Sequence, residues 1–139
     1  MVQQASAQTE MTTPKAPRVL VVDDEPNNLR TIERVFRRRY ELRFAASGTE
    51  ALAILAEADF DLALVDFSMP QMNGLEFLER AREIRPQMGR VIVTGNADRP
   101  ELEVAVRSGL CAEVIAKPWA RSQLEAVVDR FSARAPAKP

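Results

Sequence analysis

The chain has 139 residues, 46% hydrophobic and 28% charged, and its nineteen Lys and Arg against twenty Asp and Glu leave a net charge of -1. A length of that order builds one compact domain of about 100–150 residues, and a balanced charge offers no global field for nucleic acid or an anionic membrane. With no histidine and a single cysteine, His-based metal sites, Ser-His-Asp triads, an internal phosphohistidine and an internal disulfide are all excluded, so chemistry must rest on carboxylates.

Residues 1–17 are rich in Gln, Thr, Ala and Pro without apolar periodicity and read as a flexible leader. The leader lacks the layout of a secretory signal, and no apolar run approaches the ~20 residues of a membrane span, so a cytoplasmic address is expected. From Arg18 short apolar runs alternate with stretches of helical period, which argues for five β-α units on a parallel sheet. The strand candidates are Arg18–Val22, Glu41–Ala45, Asp61–Val65, Arg90–Thr94 and Ala112–Ala116. Four are nearly continuous apolar runs suited to interior strands, whereas Glu41–Ala45 alternates and suits an edge. Between them, amphipathic helices are marked by Leu29, Ile32, Val35 and Phe36; by Leu52, Ile54 and Leu55; and by Leu75, Leu78, Ala81 and Ile84. The fourth is marked by Leu102, Ala105 and Val106, and the fifth by Leu124, Val127, Val128 and Phe131. The fifth helix is expected to end near Arg134, with residues 133–139 as a short tail and no second domain after the one spanning 18–132.

In open parallel sheets ligands bind beyond the carboxyl ends of the strands. There the sequence sets Asp23, Asp24 and Glu25 after the first strand, Asp66 after the third, Thr94 at the end of the fourth and Lys117 after the fifth. Carboxylates gathered in one place repel one another unless a cation shares the site, and a hard divalent ion with oxygen ligands suits Asp24 and Asp66. Given such an ion, a carboxylate can take a phosphoryl group as an acyl phosphate, with Lys117 offsetting charge and the Thr94 hydroxyl reporting the group's arrival. Taken singly these residues have plainer roles: Asp23 or Asp24 a helix N-cap before Pro26, Asp66 a turn initiator, Thr94 a strand-end residue, Lys117 a solvated charge. Independent caps and turns have no reason to place acids, a hydroxyl and an amine on separate strand ends of one sheet.

The segments VLVVDDE, LALVDFSMPQMNG, VIVT followed by Gly95, and Lys117-Pro118 resemble, in order, the response-regulator receiver domain of two-component signalling, of the single-domain chemotaxis-regulator kind, from about Arg18 to Phe131. The resemblance implies a flavodoxin-like α/β fold of strand order 2-1-3-4-5 and a cis peptide before Pro118. It makes Asp66 the phosphoacceptor, with Lys117 and Thr94 assisting, and Asp23, Asp24, Asp66 and the Ser68 carbonyl the ligands of Mg²⁺ or Mn²⁺. It implies a sensor histidine kinase or phosphotransfer protein as donor, a downstream protein target, no direct nucleic-acid or membrane contact, and a monomer or a weak homodimer through the fourth and fifth helices. Ser68 and Asn96 stand where the family tunes phosphate lifetime.

One position departs from the family: Val114 stands where an inward-turning aromatic is usual, three residues before Lys117. An alternative is therefore a pseudo-receiver that binds partners without using phosphorylation. A further alternative, a phosphatase of the haloacid-dehalogenase kind, wants a second acid two residues after the nucleophile, where Ser68 stands. No enzyme activity on outside substrates is expected. The Arg37, Arg38, Arg39 run reads as a solvated helix end, Cys111 as a buried inert thiol, Gly74 as a turn residue beside Asp66, and Trp119 as either core or partner surface.

Overall fold

A computed structural model describes residues 16–132, and the expected tail and nearly all of the expected leader lie outside the described residues. Five strands, β1 (Arg18–Val22), β2 (Glu41–Ala45), β3 (Leu62–Asp66), β4 (Gly89–Thr94) and β5 (Glu113–Ala116), form one parallel sheet of order β2-β1-β3-β4-β5. They alternate with α1 (Pro26–Phe36), α2 (Gly48–Glu57), α3 (Gly74–Ile84), α4 (Pro100–Ser108) and α5 (Arg121–Phe131). The strands differ from expectation by at most one residue at an end, and Asp66 is the last residue of its strand rather than the first beyond it.

The two-residue period of the strands sorts the core into two layers. Val19, Val21, Leu62, Leu64, Val91, Val93 and Ile115 face α1 and α5, joined by Ile32, Phe36, Leu124, Val127 and Val128. Leu20, Val22, Ala63, Val65 and Ile92 face α2, α3 and α4, joined by Ala51, Leu55, Phe77, Leu78, Leu102 and Ala105. Burial on both faces explains why β1, β3 and β4 are apolar without alternation, while edge strand β2 leaves Glu41 and Arg43 exposed.

Two helix assignments need correction. Ile84 is 39% exposed and Val106 40% exposed, so neither belongs to the buried stripe. In α3 the place is taken by Phe77, fully buried one residue before Leu78, and in α4 the short helix turns Val106 past the seam that Leu102 and Ala105 occupy. The last helix stops at Phe131, where Ser132 turns to extended backbone, short of the expected Arg134.

Helix starts follow local chemistry. Ser47 Oγ accepts from the Glu50 N–H, and Asn73 and Glu76 cap one another reciprocally at 2.9 Å each. Pro26 and Pro100 open α1 and α4, where a missing N–H costs nothing. Gly109, at φ 85, ends α4 in the left-handed conformation that glycine adopts without penalty.

Candidate functional site: a carboxylate cluster at the switch point

The chain passes from β1 out to β2 and returns to β3 on the other side of β1, leaving a crevice beyond the carboxyl ends of β1 and β3. Val22 pairs with Val65, Asp66 with Val93, and Thr94 with Ala116, so Asp23, Asp66, Thr94 and Lys117 arrive at one level. The Lys117 N–H donates to the Thr94 carbonyl at 2.9 Å, extending the β4–β5 ladder to the lysine. Strand alternation then turns Asp66, two after Leu64, toward the α1 and α5 face.

Asp23, Asp24 and Asp66 each offer a carboxylate oxygen, all within 4.8 Å of one another. Lys117 Nζ donates to Asp66 Oδ1 at 2.8 Å and lies 3.7 Å from Asp23 Oδ2. Asp66 Oδ2 has no hydrogen-bond partner among the described residues. Burial pushes the Asp66 carboxyl above its ordinary range; the Lys117 ammonium offsets this only in part, because Asp23 and Asp24 add repulsion. Burial alone would lower the Lys117 ammonium, but its hydrogen bond to Asp66 and the charges of Asp66 and Asp23 outweigh that and hold it up. One ammonium among three carboxylates gains, while a carboxylate with one cation and two anions as neighbours does not.

The acids differ in support. Asp23 is buried: its Oδ1 accepts from the Glu25 N–H at 2.9 Å and its Oδ2 from Asn28 Nδ2 at 3.0 Å. Glu25, rather than Asp23 or Asp24, is the N-cap of α1, and its side chain makes no capping bond. Asp24 is exposed, with no partner among the described residues. Thr94 is buried and its Oγ1 accepts from the Asn96 N–H at 3.1 Å, so Asn96 organises the loop after β4. Ser68 lies exposed in the loop after β3.

Gly74 holds that loop. Its N–H donates to the Phe67 carbonyl at 2.8 Å, and a Cβ there would stand 2.7 Å from the Asp66 carbonyl oxygen and 2.9 Å from Ile92 Cδ1. Only glycine lets the start of α3 approach the backbone of Asp66 so closely. Asn28, which clamps Asp23, was missed in the sequence; the signal was an amide in the first turn of the helix that follows the acids.

Val114 is half-buried, pairs with Ile92 and packs on the α2–α4 layer. Trp119 joins the opposite layer with its ring 6.1 Å from Phe36. Arg39 of the basic run pairs with Glu125 of α5 at 2.6 Å, and Cys111 is fully buried.

The family model for the response regulator receiver domain matches residues 19–129. The chain belongs to the response-regulator receiver family. Among proteins this receiver resembles is a response regulator receiver protein of Anaeromyxobacter sp. (strain Fw109-5), 36% identical over 104 residues, which cover 74% of this chain and 43% of that protein. Several longer regulatory proteins match over only 22–24% of their length. The solved CheY-like receiver of Methanospirillum hungatei JF-1 superposes with a TM-score of 0.77 at 34% identity, covering 84% of this chain and 94% of that one. The receiver of TrrA from Thermotoga maritima, solved in complex with Mg²⁺-BeF, superposes at 0.72 with 27% identity, covering 83% and 98%. Among the described residues of this receiver no helix is long and apolar enough to cross a membrane.

Proposed function

We propose that this receiver takes a phosphoryl group onto Asp66 from a histidine-phosphorylated partner and passes the signal on by protein–protein contact. The observation that carries the reading is the Lys117 ammonium 2.8 Å from Asp66 Oδ1 within a cluster of three carboxylates. Receiver domains of response regulators are phosphorylated by sensor histidine kinases, which supports a kinase or a phosphotransfer protein as donor. The unpartnered Asp66 Oδ2 is the nucleophile: it forms the new bond to phosphorus as the bond from phosphorus to the donor nitrogen breaks, and the donor imidazole keeps that electron pair. Lys117, already at the other oxygen, offsets charge on the transferring group, and Thr94 exchanges its contact with Asn96 for one to the phosphoryl oxygens.

The donor set fits a hard divalent ion. Its ligands are hard carboxylate oxygens within one ion's reach, and a single ammonium leaves their charge uncompensated. Asp23, Asp24, Asp66 and the Ser68 carbonyl would hold Mg²⁺ or Mn²⁺, which supplies charge neutralisation for phosphoryl oxygens. Asn28 and the Glu25 N–H keep Asp23 aimed at the site.

Activity is confined to accepting and losing the phosphoryl group; no outside substrate is turned over. The chain acts in the cytoplasm, as a monomer or as a weak dimer through α4 and α5; Val104 of α4 is 52% exposed. With Val114 in place of an aromatic, either another residue reports the phosphorylated state or the face of α4 and β5 responds weakly.

The test is intact mass after incubation with phosphoramidate or acetyl phosphate and Mg²⁺, for the native chain and Asp66→Ala. A Mg²⁺-dependent gain of one phosphoryl group that Asp66→Ala lacks is expected. No gain, either there or with a phosphorylated kinase as donor, would leave a pseudo-receiver that binds without phosphorylation.

A further inference from the structure

Beneath α1 the structure contains a cavity of about 580 Å³ that shares Asp23, Asp66 and Lys117 with the phosphoacceptor site at one end and extends under the helix into space that phosphoryl transfer does not use. That volume falls within the roughly 300–1,000 Å³ typical of small-molecule sites. Val21, Leu64 and Val93 of three adjacent strands form its floor on the α1 and α5 face, and Ile32 and Val35 of α1 line it from above. The Trp119 indole closes the far side. The walls are mostly apolar, with Thr31 and Asn28 of α1 the polar exceptions, and the charged groups gather at one end, where Asp23, Asp66 and Lys117 project two residues beyond Val21, Leu64 and Ile115 on the same face.

The charge at that end identifies the occupant. Lys117 is already engaged with Asp66 at 2.8 Å and Asp23 at 3.7 Å, and Asp24 offers a third carboxylate oxygen within 4.8 Å of theirs. One ammonium against three acids leaves the end of the cavity anionic, with Asp66 Oδ2 unpartnered among the described residues. The geometry points to a binding site for a small organic cation, a primary ammonium carried on an apolar or aromatic body: the body lies between Trp119, Val35 and Leu64, and the head donates to Asp66 and Asp23. Apolar burial supplies affinity, and charge selects amines over acids. Because the head uses carboxylates assigned above to Mg²⁺, amine and Mg²⁺ compete, and each weakens the other by the same factor.

Trp119 is the chain's single tryptophan, so its fluorescence reads the cavity directly. The full chain is titrated in chelator-treated buffer with 2-phenylethylammonium, with 3-phenylpropionate as the anionic counterpart and methylammonium as the head alone. A saturable change with the amine is expected, at least about tenfold tighter than with either control. Val35→Phe and Thr31→Phe, which fill the cavity and leave the three acids and Lys117 in place, are each expected to weaken amine binding by about tenfold, with folding checked by circular dichroism. Added Mg²⁺ should shift the titration to higher amine. No saturable change, propionate or methylammonium binding as tightly as the amine, or folded filling variants that bind like the native chain would overturn the proposal. Its outcome is independent of phosphorylation: a chain that never accepts a phosphoryl group still binds the amine if the cavity and its acids are as described.

Discussion

The Lys117 ammonium sits 2.8 Å from the Asp66 carboxylate although 51 residues separate them in the chain. Lys117→Ala removes the only cation within ion-pair distance of Asp66 among the described residues. The rate at which phosphoramidate phosphorylates Asp66 is expected to fall by a factor on the order of 10²–10³, the usual loss for one charge-stabilising group. Rapid-quench intact mass checks this, and a rate within a factor of about two of native would remove Lys117 from the mechanism.

Burial and two neighbouring acids raise the Asp66 carboxyl above its ordinary value of 3.8. A raised folded value means that the native chain binds a proton the unfolded chain has released, so metal-free stability falls as pH rises from below 3.8 through the folded value. Asp66→Asn, neutral throughout, should therefore melt above the native chain at pH 7 in chelator. The gap should close as the pH is taken below 3.8, where both side chains are uncharged. Calorimetric melting at several pH values decides it; a variant less stable at pH 7 would show that the Lys117 contact outweighs the repulsion.

Asp24 is exposed and has no partner among the described residues, so Asp24→Asn separates metal binding from folding. Without metal its stability should match native within about 0.5 kcal/mol. At Mg²⁺ one hundred times the dissociation constant the native chain should gain about 2.7 kcal/mol by mass action, and the variant clearly less. Urea midpoints with and without Mg²⁺ provide the measurement.

Gly74→Ala sets a methyl 2.7 Å from the Asp66 carbonyl oxygen. Backbone must shift to accept it, at a cost of about 1–3 kcal/mol. Because the atom met belongs to Asp66 itself, slower phosphorylation should accompany the lower urea midpoint. A loss of stability with full phosphorylation would show that the loop moves independently of Asp66.

The Cys111 thiol is fully buried, and burial raises it above its ordinary value. Alkylation of native protein at pH 8 should be negligible and should appear only as the chain unfolds in urea, since the thiolate is the reactive form. Rapid labelling without denaturant would contradict the packing.

The α/β class, the five units and the identity of the polar strand ends were already written in the sequence, because runs such as Leu62–Val65 and the acids that follow them are local patterns. Amphipathic stripes were less legible. Phe77 and Ile84 are both apolar and both compatible with a helical face, yet only the position of α3 against β3 and β4 buries one and exposes the other. The strand order and the Ser68 carbonyl as a ligand followed from resemblance, whereas the distances between the strand-end residues depend on register: Val22 opposite Val65 and Thr94 opposite Ala116 bring Asp23, Asp66 and Lys117 together. Asn28 clamping Asp23, the closeness of Gly74 to Asp66 and the cavity beside Trp119 are contacts among residues on different elements. Sequence determined which chemistry this chain can carry, since composition and strand-end residues are properties of the chain itself; only the tertiary structure decided which charges meet and what space remains beside them, since both arise when separate elements pack.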